Sequence, residues 1–369
     1  MPTALELLRT ENRNGTEEGI AAAPRRSAMT IKDISRETGY SVGTVSRVLN
    51  GQPNVSEKAR ATILSCAEKR GFQLNANAKR LKQQRSDGIL AVVTGTSNEL
   101  FARLIEQIQR ILAQTSYSLT VDYVEENEDP VLYALRVCRE KKPEGILFLG
   151  GDARFYARSF GQISLPAVLL TNDASGLGFS NLSSVTTDDE AAAERAIDYL
   201  VSCGHREIGI ISGELGASGE QNISGPSLLR FEGCRRAFAR HGLRDPETCC
   251  ETARFSFGDG YIAAKRLLAR KDFTAIFAMA DVMAIGAIRA LAESGLRVPE
   301  DVSVIGFDGL ELGEYYIPKL TTIRQHASLL ARRGVALLLD AIENQAEARH
   351  ETVPFVLAEH ASVKNFRED

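Results

Sequence analysis

From Gly88 onward the chain alternates between two kinds of segment. Short apolar runs, among them ILAVVT at 89–94, GILFLG at 145–150, AVLLTN at 167–172, IGIISG at 208–213, AIFAM at 275–279 and VSVIGFD at 302–308, are separated by stretches of helical periodicity. Those stretches include Leu100 to Gln114, Pro130 to Lys141, Glu190 to Cys203, Leu228 to Arg240, Gly258 to Arg270 and Asp281 to Ser294. A strand that is apolar at nearly every residue must be covered on both faces, which is the signature of a parallel sheet wrapped by helices. SLTVDYV (118–124) and SVTTD (184–188) read as further strands, and the total comes to about ten. That is too many for one compact twisted sheet, so the pattern predicts two doubly wound lobes. In such folds ligands sit beyond the C-terminal ends of the strands, which between two lobes means the cleft.

Ahead of this region, residues 30–50 read TIKDISRETGYSVGTVSRVLN, which predicts two short helices joined by a tight turn. Thr30 caps the first helix and Asp33 answers it three residues on. Ile31 and Ile34 face a small core, and Gly39 ends the helix where a left-handed backbone needs no Cβ. Ser41 caps a second helix, Ser41 to Asn50, with Val45, Val48 and Leu49 as its apolar stripe. An ordinary helical hairpin has the same spacing, and the polar face separates the two readings. Ser41, Val42, Gly43, Thr44, Ser46 and Arg47 are small or hydrogen-bonding and include no acid. Such a face can approach phosphates and base edges, and a guanidinium such as Arg47 can donate two parallel bonds to a guanine. Ser56 caps a third helix from Glu57 to about Lys69, ended by Gly71, with Ala59, Ile63, Leu64 and Ala67 on its apolar face.

Charge separates along the same boundary. The chain carries a formal net charge of −4, yet residues 29–85 hold 11 basic and 4 acidic side chains, whereas 86–369 hold 29 and 40. A polyanion partner for the basic segment follows, and the acidic remainder adds no nonspecific affinity. No apolar run reaches the ~18 residues a membrane span requires, and a signal peptide is not legible, so the expected compartment is the cytoplasm. The six cysteines show no metal spacing, and the adjacent Cys249 and Cys250 suit neither a zinc knuckle nor an ordinary disulfide. They are read as reduced, mostly buried thiols, and neither metal nor cofactor is called for. Residues 1–28 form a polar extension, and Met29 is read as the natural start.

The block TIKDISRETGYSVGTVSRVLNGQPNVSEKARATI resembles the headpiece of the LacI/GalR family of bacterial transcription repressors. YLVSCGHREIGIISG, RFEGCRRAF, AMADVMAIGAIRALAESGLRVPEDVSVIGFDG and YIPKLTTIRQ resemble further blocks of that family in order and spacing. The resemblance implies an all-α three-helix helix-turn-helix headpiece (29–73), a hinge helix (74–87) and a core (88–369) resembling periplasmic sugar-binding proteins. It places an N-lobe at about 88–186 plus 322–353 and a C-lobe at about 187–321 plus 354–369. By position it implies DNA contacts from Thr30, Ser41, Val42, Gly43, Thr44, Ser46, Arg47 and Asn50. In the hinge it implies Asn75, Ala78 and Leu81, the last as an apolar wedge in the minor groove. Leu74 and Lys79 depart from the family's usual proline and arginine.

For the core, the resemblance implies effector contacts from Arg230 and Asp308, with Phe101 and Phe255 as aromatic walls, one per lobe, and Thr171 where some members carry an acid. A guanidinium's fixed fork suits hydroxyls or carboxylates. Ordinary core for the two phenylalanines, and a structural Arg230–Asp308 ion pair, remain alternatives. Ala280 replaces the family's asparagine, while Asp281 is read as capping its helix. His360 replaces a common arginine, and Gly213 to Leu229 is longer than usual and rich in Gly, Ser and Asn. These departures leave a modified sugar, a sugar acid and a nucleoside-like ligand all open.

The reading is therefore a sequence-specific repressor, a homodimer on a palindromic operator, controlled by a carbohydrate-like effector between the lobes. A corepressor-type regulator or activator with a non-sugar ligand is the alternative. An enzyme on the same sheets would need a phosphate loop or a nucleophile constellation, and the Gly-rich run after IGIISG lacks both GxGxxG and the Walker lysine. An exported binding protein would need an export signal and no headpiece. KNFRED at 364–369 follows the last strand without a heptad helix, so a dimer is expected rather than a zippered tetramer.

Overall fold

The computed structural model describes residues 30–49, 55–70, 88–95, 98–215, 225–270 and 273–367. Residues 1–28, Met29, Asn50, Gly71 and the hinge positions Leu74, Asn75, Ala78, Lys79 and Leu81 lie outside the described residues. The chain divides into two units, Met1–Gln83 and Gln84–Asp369.

The first unit contains helices α1 (Ile31–Thr38), α2 (Val42–Leu49) and α3 (Glu57–Lys69). The capping box at α1 is complete: the Asp33 N–H donates to Thr30 Oγ1 at 3.3 Å and the Thr30 N–H donates to the Asp33 carboxylate at 3.0 Å. Two of the four N–H groups that a helix start leaves unpaired are thereby satisfied. Gly39 sits at φ +75°, and its N–H closes α1 on the Ser35 carbonyl. Ser41 Oγ accepts the Thr44 N–H at 3.1 Å, so Ser41 caps α2 from outside the helix. Ser56 Oγ caps α3 by accepting the Ala59 N–H. Ile34, Val45, Val48, Ile63 and Ala67 form the small core that all three helices share. Leu64, expected on the apolar face of α3, is 45 % exposed. One residue past Ile63 is a rotation of about 100° on a helix, which carries it to the solvent side.

The second unit is two parallel-sheet lobes. In the first lie β1 (Gly88–Thr94), α4 (Glu99–Leu112), β2 (Ser118–Val124), α5 (Pro130–Lys141), β3 (Gly145–Leu149), α6 (Ala153–Ser159), β4 (Ala167–Leu170) and β5 (Leu182–Thr187). The chain crosses to the second lobe for α7 (Asp189–Ser202), β6 (Ile208–Ser212), α8 (Pro226–Arg240), β7 (Cys250–Thr252), α9 (Phe257–Arg270), β8 (Ala275–Ala278), α10 (Asp281–Glu293), β9 (Ser303–Asp308), α11 (Glu311–Tyr315) and β10 (Thr321–Gln325). It returns with α12 (Ala327–Asn344) and β11 (His350–Val353), then ends in the second lobe with β12 (Phe355–Ala358). The sheet orders are β11-β5-β4-β3-β1-β2 and β12-β10-β9-β8-β6-β7. Every pairing is parallel except that of β10 with β12.

The apolar strand runs explain this layering. Along β1, Ile89, Ala91 and Val93 pack on one face, while Leu90 and Val92 join a second cluster with Phe148, Tyr156 and Phe160 on the other. Twelve strands form among the described residues, two more than the apolar runs suggested. Short β7 and polar-edged β11 (HETV) carry no continuous apolar signal. The lobe boundary also shifts. Residues 322–325, expected in the N-lobe, belong to β10 of the second sheet, between β9 and β12. The chain re-enters the first lobe only with α12, which packs on α4 and beside β3, β4 and β5.

Loss of the α1 cap is the first consequence to test. Thr30→Ala is expected to destabilise α1 by about 1 kcal/mol. Amide exchange over residues 31–38 should accelerate while the strands of the second unit keep their protection, and unchanged exchange in α1 would contradict the cap's role.

Candidate nucleic-acid interface and effector cleft

On α2 the buried and polar sides separate cleanly. Val45 and Val48 are buried, whereas Val42 is 45 % exposed and Gly43 and Arg47 are also exposed. At 3.6 residues per turn, positions 42, 46, 43 and 47 fall within an arc of roughly 140°. That arc is the face whose side chains are small or hydrogen-bonding, with Ser46 partly buried at its middle. The Ser41 and Thr44 hydroxyls lie 2.9 Å apart at the helix start, where free N–H groups and the positive end of the dipole favour phosphate. No acid stands in the first turn of α2.

The residues expected to contact the effector gather near the C-terminal ends of the strands. Arg230, on α8, lies beside the ends of β8 and β9. Its Nε donates to Asp189 Oδ1 at 2.8 Å, its Nη1 donates to the Met279 carbonyl at 2.6 Å, and its guanidinium stacks 3.7 Å from the centre of the Phe307 ring. Both charged partners are buried, with side chains 6 % and 2 % exposed. The ion pair of Arg230 is therefore with Asp189 and not with Asp308. Two adjacent acids divide the work at the start of α7: Asp188 caps the helix by accepting the Ala191 N–H, and Asp189 turns inward.

Asp308 ends β9 at φ +115° and accepts 2.7 Å from Gln325 Nε2. The Gln325 carbonyl in turn accepts the Thr187 hydroxyl at 2.9 Å, so a relay runs from the end of β5 in one lobe through β10 to Asp308 in the other. Asp281, expected to cap α10, does not. Its Oδ2 accepts the Leu310 N–H and its Oδ1 the Thr322 hydroxyl, both at 2.6 Å, and the cap position is Ala280, which has no side-chain bond. Gly306 makes room for this, since a Cβ there would stand 2.2 Å from Asp281 Oδ1. Asp281 thus pins the turn that presents Asp308.

The remaining expected residues divide between the lobes. The Phe255 ring lies over Gly213 at the end of β6, alongside the Ser227 hydroxyl. Phe101 covers Gly150 at the end of β3, where a Cβ would sit 2.6 Å from its ring. Gly150 bonds the Leu170 carbonyl, immediately before Thr171, which is buried at φ +72°. Among the described residues, Thr171 and Asp308 are the strand-end residues other than glycine with a positive φ, one in each lobe, and the other two non-glycine residues of positive φ, Lys142 and Gln345, are helix C-caps. Strain of this kind costs on the order of 1–3 kcal/mol per residue and gathers at ligand sites. Arg103 of α4 joins the lobes by donating 2.9 Å to the Gly309 carbonyl. His360 is placed elsewhere: its N–H bonds Thr321 at the opposite end of β10, so its departure from the family does not bear on the cleft.

Sequence reasoning missed Asp189, Gln325 and Thr94. Gln325 stood inside a quoted block, and Asp189 was hidden by its capping neighbour. Thr94 ends β1 with a buried hydroxyl that has no hydrogen-bond partner among the described residues, as expected of a group kept for a ligand or water. No group of described His, Cys, Asp or Glu residues is arranged to hold a metal ion. Of the six cysteines, Cys203, Cys234 and Cys249 are buried and the other three partly so.

Burial dominates the acid chemistry. It raises the Asp308 carboxyl to about 6 against the pull of Arg230 and Gln325, raises Asp189, and takes Asp281 well above the usual carboxylate range. A carboxyl that holds its proton more tightly when folded favours the folded state at low pH, and that contribution is lost as the pH rises through about 6. Asp308→Asn removes this loss while keeping an acceptor for Gln325. The gain in unfolding free energy of the ligand-free chain should be larger at pH 7 than at pH 4 by on the order of 2 kcal/mol. Urea unfolding at the two pH values checks it, and an equal gain at both would contradict the assignment.

Comparison with known proteins places this geometry. Residues 30–75 match the bacterial regulatory proteins of the lacI family, and residues 197–363 match the periplasmic binding protein-like domain. The chain is 33 % identical over 341 residues to the HTH-type transcriptional regulator MalR of Clostridium butyricum, spanning 91 % of this chain and 100 % of that protein. It is 32 % identical over 328 residues to the HTH-type transcriptional repressor PurR of Pasteurella multocida, spanning 87 % and 94 %. Among solved structures it is similar to the lac repressor dimer bound to operator and the anti-inducer ONPF, with a TM-score of 0.80, 26 % identity, and coverage of 92 % of this chain and 100 % of that one. A complex of the transcriptional regulator CelR with cellobiose gives a TM-score of 0.65 at 26 % identity, covering 90 % and 99 %. Among the described residues no helix is long and apolar enough to cross a membrane. The chain belongs to the lacI family of bacterial regulatory proteins: it is a DNA-binding transcriptional regulator with an effector-binding core.

Proposed function

We propose that this regulator is a cytoplasmic, non-enzymatic repressor that binds a palindromic operator as a homodimer and is controlled by a small hydroxyl-bearing effector in the cleft. The observation that carries the reading is the strained, buried Asp308 held beside Arg230, in a chain that also presents the exposed polar face of α2. Val42 and Arg47 read bases, with Val42 suited to a thymine methyl and Arg47 to a guanine edge, while Ser41, Thr44 and Ser46 hold phosphate. Thr30, Gly43 and Asn50 flank that contact, and Asn75, Ala78 and Leu81 would add the minor-groove wedge. The effector meets Arg230, Asp308, Phe255, Phe101 and Thr171, and its coupling to the operator is reciprocal: each ligand changes the other's affinity by the same factor.

A solved lac repressor is a dimer, and the second lobe here carries a surface suited to self-association. Ile317 is 90 % exposed, and Tyr315 and Leu312 on α11 are 79 % and 37 % exposed. An apolar patch of this kind marks an interface.

Selection from a pool of randomised duplexes, at two salt concentrations, tests the reading. The wild-type chain should recover a palindrome. Arg47→Ala should lose about 1–3 kcal/mol and relax one base position in each half-site. Ile317→Asp should reduce recovery to single half-sites. Recovery without symmetry, or identical sequences for wild type and Arg47→Ala, would contradict it.

A further inference from the structure

We propose that protonation of His360 loosens the exposed loop around Ile317, so that self-association of the chain weakens as the pH falls below neutrality. This rests on the homodimer reading above and adds its regulation. The loop is made of α11 and the residues that follow it. Its base is closed by two backbone bonds: the Gly313 N–H donates 3.1 Å to the Leu310 carbonyl, and the Leu320 N–H donates 3.0 Å to the Gly313 carbonyl. Leu320 is buried and anchors the loop, while Tyr315 and Ile317 stand in solvent. His360 is fixed beside that base. Its N–H donates 2.9 Å to Thr321 Oγ1, and the Ala361 N–H donates 3.0 Å to the Lys319 carbonyl.

One carboxylate serves three basic groups here. Glu314 of α11 accepts from Lys319 Nζ and from Arg324 Nη2 of β10. The third is His360 Nε2, which lies 3.6 Å from Glu314 Oε1, too far for a hydrogen bond. That nitrogen is buried and has no hydrogen-bond partner among the described residues. Glu359, the preceding residue, engages Tyr199 of α7. The charged groups that face the imidazole are therefore Glu314, Lys319 and Arg324, two cations against one acid.

The sign follows from that balance. Burial first, and then Lys319, hold the imidazole below its ordinary value despite the pull of Glu314. Such a histidine binds a proton more readily once the loop lets go. The ordered loop is favoured above the ordinary imidazole pKa of about 6.5 and loses that advantage as the pH falls below it. An imidazolium is a third cation around one carboxylate. Lys319, with a side chain 42 % exposed and two residues from Ile317, is the partner placed to leave for solvent. A two-fold dimer presents the loop twice, so a loss of roughly threefold per protomer appears as about tenfold in the dissociation constant.

The test is sedimentation equilibrium of the full chain without DNA, at fixed ionic strength, at about pH 8 and about pH 5.5. The wild-type dimer should be about tenfold weaker at the lower pH. Asp308, with its carboxyl at about 6, titrates in the same window, so variants make the assignment. His360→Gln should dimerise like wild type at the higher pH and lose most of the acid effect. Lys319→Gln, which leaves Arg324 on Glu314, should reduce the effect. Equal wild-type dissociation constants at both pH values overturn the proposal and leave the homodimer reading standing, as does a full acid effect in His360→Gln. Wild-type dimerisation in Ile317→Asp also overturns it, by placing the interface away from this loop. A wild-type chain that is monomeric at both pH values overturns the proposal and the homodimer reading together.

Discussion

The buried pair between Arg230 and Asp189 is the interaction on which the core's chemistry depends. Two charges with side chains 6 % and 2 % exposed have given up their water, and the 2.8 Å contact, the Met279 carbonyl and the Phe307 face return only part of that. A buried ion pair is weak evidence for stability, because well-packed apolar residues of similar volume often serve as well or better. Its presence at the ends of β8 and β9 is better explained by what it holds in place. The guanidinium carbon stands 3.7 Å from the centre of the Phe307 ring, and under the proposed function its remaining N–H groups meet the effector. Asp308 is then drawn into the same electrostatic neighbourhood at a backbone angle that residues other than glycine rarely adopt.

The topology determines where such a cluster can form. Parallel strands all end on the same edge, so side chains distant in sequence converge there without the chain doubling back. Asp189, Arg230, Met279, Asp308 and Gln325 come from five separate segments, yet hydrogen bonds join the first three in one group and the last two in another. The relay from Thr187 through Gln325 to Asp308 runs where the chain passes between lobes, so a change at Asp308 reaches a crossing segment through two hydrogen bonds. The headpiece follows a different logic. Its core is five buried residues, and its helix starts are secured by Thr30, Ser41 and Ser56 rather than by large burial.

What could be read from the sequence was what local rules and periodicity govern. Doubly buried strands announced two wrapped sheets, and the Thr30–Asp33 and Gly39 signals located the ends of α1 within a residue. Arg230 and Asp308 were singled out through family resemblance, and both lie at the strand ends of the second lobe. Contacts over long separation were not. Nothing near Asp281 shows that its carboxylate is taken by Thr322, 41 residues away, so the local reading of a helix cap was reasonable and wrong. Asp189 sits beside an acid that does cap, and only the fold distinguishes them. The position of β10 depended on pairing with β9 and β12, which its own residues TTIRQ do not encode. Leu64 failed for a simpler reason: apolar character alone does not assign a helix face.

The most direct test of the central claim is equilibrium unfolding across a double-mutant cycle of Arg230→Met and Asp189→Leu in the ligand-free chain. If the pair is retained for the ligand rather than for stability, each single change leaves an unpaired buried charge and costs about 3–5 kcal/mol, while the double variant falls within about 1 kcal/mol of wild type or exceeds it. A double variant that loses the sum of the two single losses would contradict the account. It would mean that each side chain supports the second lobe through contacts outside the pair.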